Sequence, residues 1–137
     1  MIVDTSVWID YFRGRRSAAV VLLEQQIDAG LPLYLTPAVL QECLQGARSD
    51  AHFAQMDEIL SALPCLGERD VLPLAREAAQ LYRQCRAQGV TPRSHVDCLI
   101  AATALHYGQY LLHHDRDYLE MARIVPLQCA APDFHQH

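Results

Sequence analysis

The sequence predicts an α/β fold with a mainly parallel sheet, on three observations. Short apolar runs of strand length recur between longer stretches whose apolar residues follow helical spacing. The longer stretches are regularly punctuated, with Ser, Thr or Asp before them and Gly or Pro after. Acidic residues stand where the strand-like runs end, and ligands of α/β sheets bind beyond the carboxyl ends of strands.

Residues 2–3 read as a short buried strand ending at Asp4. Thr5 and Ser6 open a helix through Trp8, Ile9, Tyr11 and Phe12, which Gly14 ends. Ser17 caps a second helix, with Val20, Leu23 and Ile27 on one face and Gly30 as its stop. Residues 33–35 are the second strand. Thr36 then supplies an N-cap and Pro37 a proline at the first helical position, opening a helix that carries Glu42 to Gly46. Asp50 caps the next helix, with Phe53, Met56, Leu60 and Leu63 at helical spacing and Pro64 as its end. Cys65 and Leu66 form a candidate short strand. Asp70 caps a long helix with Val71, Leu74, Ala78, Leu81 and Cys85 on one face, and Gly89 ends it. Ser94 caps a helix that buries Val96, Leu99, Ile100, Ala104 and Leu105, and Gly108 breaks it. Residues 110–112 are a strand feeding the His113-His114-Asp115 loop. A short helix over residues 117–122 leads to a last strand at Ile124 and Val125. The polar tail after residue 131 is expected to fray.

The 137 residues suit one domain spanning 1–137, and the 51% apolar content supports a core. No apolar run approaches the roughly 20 residues that span a bilayer, so no membrane association is expected. The start lacks a basic region followed by an apolar one, which argues against a signal peptide and for the cytoplasm. The five cysteines are widely spaced without a Cys-x-x-Cys pair and read as buried free thiols. The net charge of −5 disfavours nucleic-acid binding unless the excess acid is held by cations. All eleven basic residues are arginine.

Asp4, Glu42, Asp97 and Asp115 are the candidate site. Asp4 and Asp115 end predicted strands, and Asp97 lies in the first turn of its helix, where the macrodipole favours an anion. Glu42 is flanked by Val39, Leu40, Cys43 and Leu44, an expensive place for an acid without a partner. Each has a plainer use: Asp4 as a helix cap, Asp97 closing a capping box with Ser94, Glu42 facing solvent, Asp115 and Asp117 as turn and cap residues. Together, repelling acids call for a cation, and an all-oxygen set favours magnesium or manganese over zinc. Thr5 and Ser6 offer hydroxyls to position water. His113 and His114 could ligate a metal but read more simply as loop histidines. Arg13, Arg15, Arg16, Arg93 and Arg116 are candidates for phosphate contact, or simply solvated. The apolar stripes of the 17–30 and 50–63 helices are core, or a partner groove.

Met-Ile-Val-Asp-Thr-Ser-Val-Trp-Ile, Glu42 after Thr-Pro-Ala-Val-Leu, Asp97-x-x-Ile-Ala-Ala and Leu-Leu-His-His-Asp-Arg-Asp-Tyr together resemble PIN-domain nucleases. Length and spacing most resemble VapC-type toxins of bacterial toxin–antitoxin pairs, over essentially the whole chain. The resemblance implies a three-layer α/β/α sandwich around a five-stranded parallel sheet. It also implies Mg²⁺- or Mn²⁺-dependent endoribonuclease activity, a homodimer and inhibition by a cognate antitoxin. By position, Asp4, Glu42, Asp97 and Asp115 match the family's acids, and Asp117 matches a further acid. His113 stands where Thr or Ser is common, and Tyr118 where Phe is common.

The chemistry expected is attack of a metal-activated water on an RNA phosphodiester. Receivers and haloacid-dehalogenase-type phosphatases also gather acids at strand ends, but they rely on a lysine this chain lacks; a P-loop is excluded likewise. The alternative from another class is a non-catalytic PIN-like module that binds protein or RNA.

Overall fold

The central strands are only two residues long, and complete burial is what makes them sufficient. In the computed structural model, which describes residues 1–130, β1 (Ile2–Val3) pairs in parallel with β2 (Leu111–Leu112). Ile2 lies opposite Leu111 and Val3 opposite Leu112, and all four are 0% exposed. Continuous apolar sequence of this kind suits a parallel strand covered on both faces. Single parallel bridges extend the pair: Ile2 with Tyr34, Leu35 with Cys65, and Leu111 with Cys129. Among the described residues the hydrogen-bonded sheet is therefore two-stranded, flanked by single bridges: Tyr34, Leu35 and Cys65 lie where short strands were expected, and Cys129 does not.

Seven helices surround this centre among the described residues: α1 (Thr5–Phe12), α2 (Ala18–Asp28), α3 (Pro37–Gln45), α4 (Asp50–Ser61), α5 (Val71–Ala87), α6 (His95–His106) and α7 (Arg116–Ile124). Their starts follow the caps in the sequence. The side chains of Asp4, Ser17, Thr36, Ser94 and Asp115 each accept a backbone N–H of the following turn. α6 buries Cys98, Ile100, Ala101, Ala102 and Ala104, so it is apolar nearly all round, as a central helix must be. It packs against α5, α3 and α7, and its first turn carries Asp97.

Four local assignments need correction. Ser49, not Asp50, is the N-cap of α4: its hydroxyl accepts the His52 N–H at 3.1 Å, while Asp50 occupies the first turn. Asp70 occupies the cap position of α5 without capping, because its carboxylate takes the Tyr107 hydroxyl instead. Ile27, Phe53 and Val71 lie at the solvent margin of their helices, at 42%, 44% and 62% exposed. The last strand expected at Ile124 and Val125 does not form there. Tyr118 and Met121 are buried at helical spacing and carry α7 through Ile124, and Cys129 makes the outer bridge. The tail after residue 131 lies outside the described residues. No helix among the described residues is long and apolar enough to cross a membrane.

Ile100 is 0% exposed at the middle of α6. Ile100→Ala is expected to lower the unfolding free energy by about 2–5 kcal/mol, measured as a shifted urea midpoint with an unchanged slope.

Candidate metal-binding active site

β1 ends at Val3 and β2 at Leu112, so parallel pairing delivers Asp4 and the 113–115 loop with the start of α7 to the same end of the sheet. The Asp4 N–H donates to the Leu112 carbonyl at 2.9 Å, which continues the ladder into the site. Asp4 is 5% exposed. Its Oδ2 accepts the Ser6 N–H at 3.3 Å and the Ser6 hydroxyl at 2.6 Å. Its Oδ1 accepts the Tyr118 hydroxyl at 2.7 Å. Asp4 therefore does cap α1, and the same carboxylate faces the other acids.

Glu42 extends from α3, and the Thr5 hydroxyl donates to its Oε1 at 2.7 Å. Its half-buried setting is thereby explained. Asp97 does not close a capping box with Ser94; its Oδ1 lies 3.2 Å from the Tyr118 hydroxyl. Burial, with Asp4 and Asp115 adding like charge, pushes Asp97 up to about 6. Asp115 caps α7, its Oδ1 accepting the Asp117 N–H at 2.9 Å.

Asp97, Asp115 and Asp117 can each offer an oxygen within a group whose atoms all lie within 4.8 Å of one another. Asp4 is joined to this trio by the Tyr118 hydroxyl. The donor set fits a hard divalent cation: it is all carboxylate, and Asp97, raised first by burial and then by the like charge of Asp4 and Asp115, is a charge that such a cation would stabilise. Soft ligation has no support here. Burial pushes the Cys43 and Cys98 thiols up to about 12 and about 11, which keeps them protonated.

The hydroxyls of Thr5 and Ser6 give their protons to acids, so only their oxygen lone pairs are open to a water. Arg93 reaches the acids directly. Its Nε donates to Asp117 Oδ2 at 3.1 Å and its Nη2 to Asp115 Oδ1 at 3.0 Å, so this exposed guanidinium partly neutralises the trio. Arg15 pairs with Asp10 and Arg16 with Glu24. Arg13 and Arg116 are exposed.

The histidine pair divides. His114 lies against Asp10 at 3.3 Å. His113 is 0% exposed, and its Nδ1 accepts the Asp115 N–H at 3.1 Å. That bond shapes the turn, as a Thr or Ser hydroxyl would, and burial lowers His113 to about 4. Tyr118 is the participant that the sequence left unassigned. Burial, then the two acids, raise its phenol far above the ordinary range, so it remains a donor.

Asp97 and His113 act oppositely on stability in the metal-free protein. Folding raises Asp97 from 3.8 to about 6, so its contribution is present at low pH and is lost as pH rises toward 6. Folding lowers His113 from 6.5 to about 4, so its contribution is present above 6.5 and is lost as pH falls toward 4. Asp97→Asn should therefore gain stability from pH 4 to 6.5 more steeply than the wild type, read by thermal melts in EDTA. Equal slopes would contradict this assignment.

The chain matches the PIN domain family over residues 1–124. It is 35% identical to Ribonuclease VapC11 of Mycobacterium tuberculosis over 132 residues, covering 96% of this chain and 98% of the relative. The VapC ribonuclease Mb1587 of Mycobacterium bovis is similar at the same identity and coverage. In three dimensions it resembles a chain from the structure of VapBC2 from Rickettsia felis bound to a DNA fragment from their promoter. That match has a TM-score of 0.72 and 17% identity, and covers 95% of this chain and 96% of that one.

Proposed function

The chain belongs to the PIN-domain family, and from that premise we propose that it is a Mg²⁺- or Mn²⁺-dependent endoribonuclease, the toxin of a toxin–antitoxin pair. The observation that carries the reading is the convergence of Asp4, Asp97, Asp115 and Asp117 at one end of the β1–β2 pair, with Glu42 tied in through Thr5. Relatives of nearly the same length that bear the name ribonuclease support the activity.

Asp97, Asp115 and Asp117 would hold the cation, with Asp4 and Glu42 completing the acidic set. A bound divalent ion supplies acidification of a water and stabilisation of charge developing at phosphorus. The chain's own residues supply the rest. Ser6 and Thr5 hold Asp4 and Glu42 in orientation, with oxygen lone pairs facing any nearby water. Exposed Arg13 and Arg116 are available to flanking RNA phosphates, and Arg15 and Arg16 could join them by exchanging surface carboxylates for phosphate. Arg93, paired with Asp115 and Asp117, would meet phosphate and acid together. With water as nucleophile, the products are a 5′-phosphate and a 3′-hydroxyl, and the 2′-hydroxyl takes no part.

The reading carries with it a cognate antitoxin, supported by the likeness to a chain of a VapBC assembly, together with a homodimer and a cytoplasmic location. The antitoxin would occupy an apolar groove and place a basic side chain near the acids.

Incubating antitoxin-free protein with total RNA and Mn²⁺ should give discrete cuts with 5′-phosphate ends. Cleavage should disappear with EDTA, and Asp4→Asn or Asp97→Asn should reduce its rate by at least about 100-fold. Ends bearing 2′,3′-cyclic phosphate would overturn the chemistry. Absence of both cleavage and Mn²⁺ binding would favour the non-catalytic module.

A further inference from the structure

Tyr118 is 0% exposed, yet its hydroxyl sits between two acids from distant parts of the chain. It donates to Asp4 Oδ1 at 2.7 Å and lies 3.2 Å from Asp97 Oδ1. A phenol has one proton, so the shorter contact, to Asp4, is the one that receives it. Asp4 Oδ2 already accepts twice from Ser6. A carboxylate has about four acceptor sites, so Oδ1 retains one after Tyr118 has taken its share.

We propose that Tyr118 is a positioning residue of the acidic site: its hydroxyl holds Asp4 Oδ1 beside Asp97, so that Asp4 presents one defined lone pair to a divalent cation. The assignment rests on the metal-nuclease reading above and adds the residue through which Asp4 is joined to the Asp97, Asp115 and Asp117 trio. Asp4 lies at the end of β1 and Asp97 on α6, and the phenol on α7 reaches both. Without it, the two carboxylates would face each other across a buried boundary with no donor between them, and repulsion would turn them apart. The ring has a separate, structural use: it lies against the His113 imidazole, with centroids 4.9 Å apart. Phenylalanine would serve that use equally, so Tyr118→Phe isolates the hydroxyl.

The test is calorimetric Mn²⁺ binding to the wild type, Tyr118→Phe, Asp4→Asn and the double variant, each in full-length protein. Tyr118→Phe should weaken Mn²⁺ affinity about tenfold, the usual effect of removing a group that orients a metal ligand. In the Asp4→Asn background the same change should cost little, because the hydroxyl acts through Asp4. Equal affinities of wild type and Tyr118→Phe, even with a lower melting temperature, would leave the residue purely structural and overturn the proposal. Fully additive losses would overturn it as well. Absence of Mn²⁺ binding by the wild type would overturn the metal-nuclease reading first and this inference with it, which separates the two failures. Should Tyr118→Phe fail to fold, wild type labelled at tyrosine Cζ gives the same answer by NMR. Saturating Mg²⁺ should shift one of the six tyrosine resonances, and no shift would overturn the proposal.

Discussion

Everything at the site depends on the pairing of β1 with β2. These strands supply four residues in all, separated by more than a hundred positions in sequence. The register sets Ile2 opposite Leu111 and Val3 opposite Leu112, and a slip by one residue would carry the Asp4 carboxylate into the fully buried place of Val3. The next rung beyond Val3 and Leu112 is the Asp4 N–H donating to the Leu112 carbonyl. Asp4 and the His113–Asp117 turn are thus neighbours by ladder geometry. α6 then needs only to pack across this end to add Asp97.

Bringing these acids together opposes folding, and the structure offsets the repulsion with donors from its own chain. Ser6 and Tyr118 serve Asp4, Thr5 serves Glu42, and Arg93 serves Asp115 and Asp117. Among the described residues Asp97 has only the longer contact with Tyr118, and burial and its acidic neighbours push it up to about 6. The charge is therefore least well accommodated where a cation would be most welcome. Such sites give up stability for function, and a bound cation returns part of it by mass action.

Much of this was legible in the sequence. The helix starts at Ser17, Thr36 and Ser94 followed from short side chains that accept a backbone N–H, a local rule that needs no tertiary context. Asp4, Asp97 and Asp115 were legible as candidates by their positions at predicted strand ends and a helix start, and Glu42 by its apolar neighbours. What was not legible was set by distant partners. Asp70 looks like a cap until Tyr107 takes its carboxylate. Ile124 and Val125 look like a strand because β-branched residues favour one, but Tyr118 and Met121 bury at helical spacing and carry α7 through Ile124, leaving Val125 as its extended C-cap. His113 reads as a loop histidine, and only its complete burial shows that it shapes the Asp115 turn. Tyr118 reads as a mild variation on phenylalanine, because a sequence cannot show that its hydroxyl will end between two carboxylates.

The charge distribution resolves the tension between an acidic protein and a polyanionic substrate. Asp4, Glu42, Asp97, Asp115 and Asp117 account for five of the sixteen acids, which leaves eleven acids against eleven arginines. With Arg93 paired to Asp115 and Asp117, most of the net charge of −5 resides in the site, and the rest of the chain is close to balanced. RNA phosphates approaching the metal-free site would meet bare carboxylates at close range, where repulsion is little screened. A divalent cation there offsets two of those negative charges and offers a phosphate oxygen a positive centre, while the arginines stay where they are. Cation binding and RNA binding are then thermodynamically linked, each strengthening the other, even before any bond is cut. An acidic isoelectric point is in that case no argument against a nucleic-acid substrate, because the excess charge belongs to the cation's ligands and not to the surface that meets the RNA.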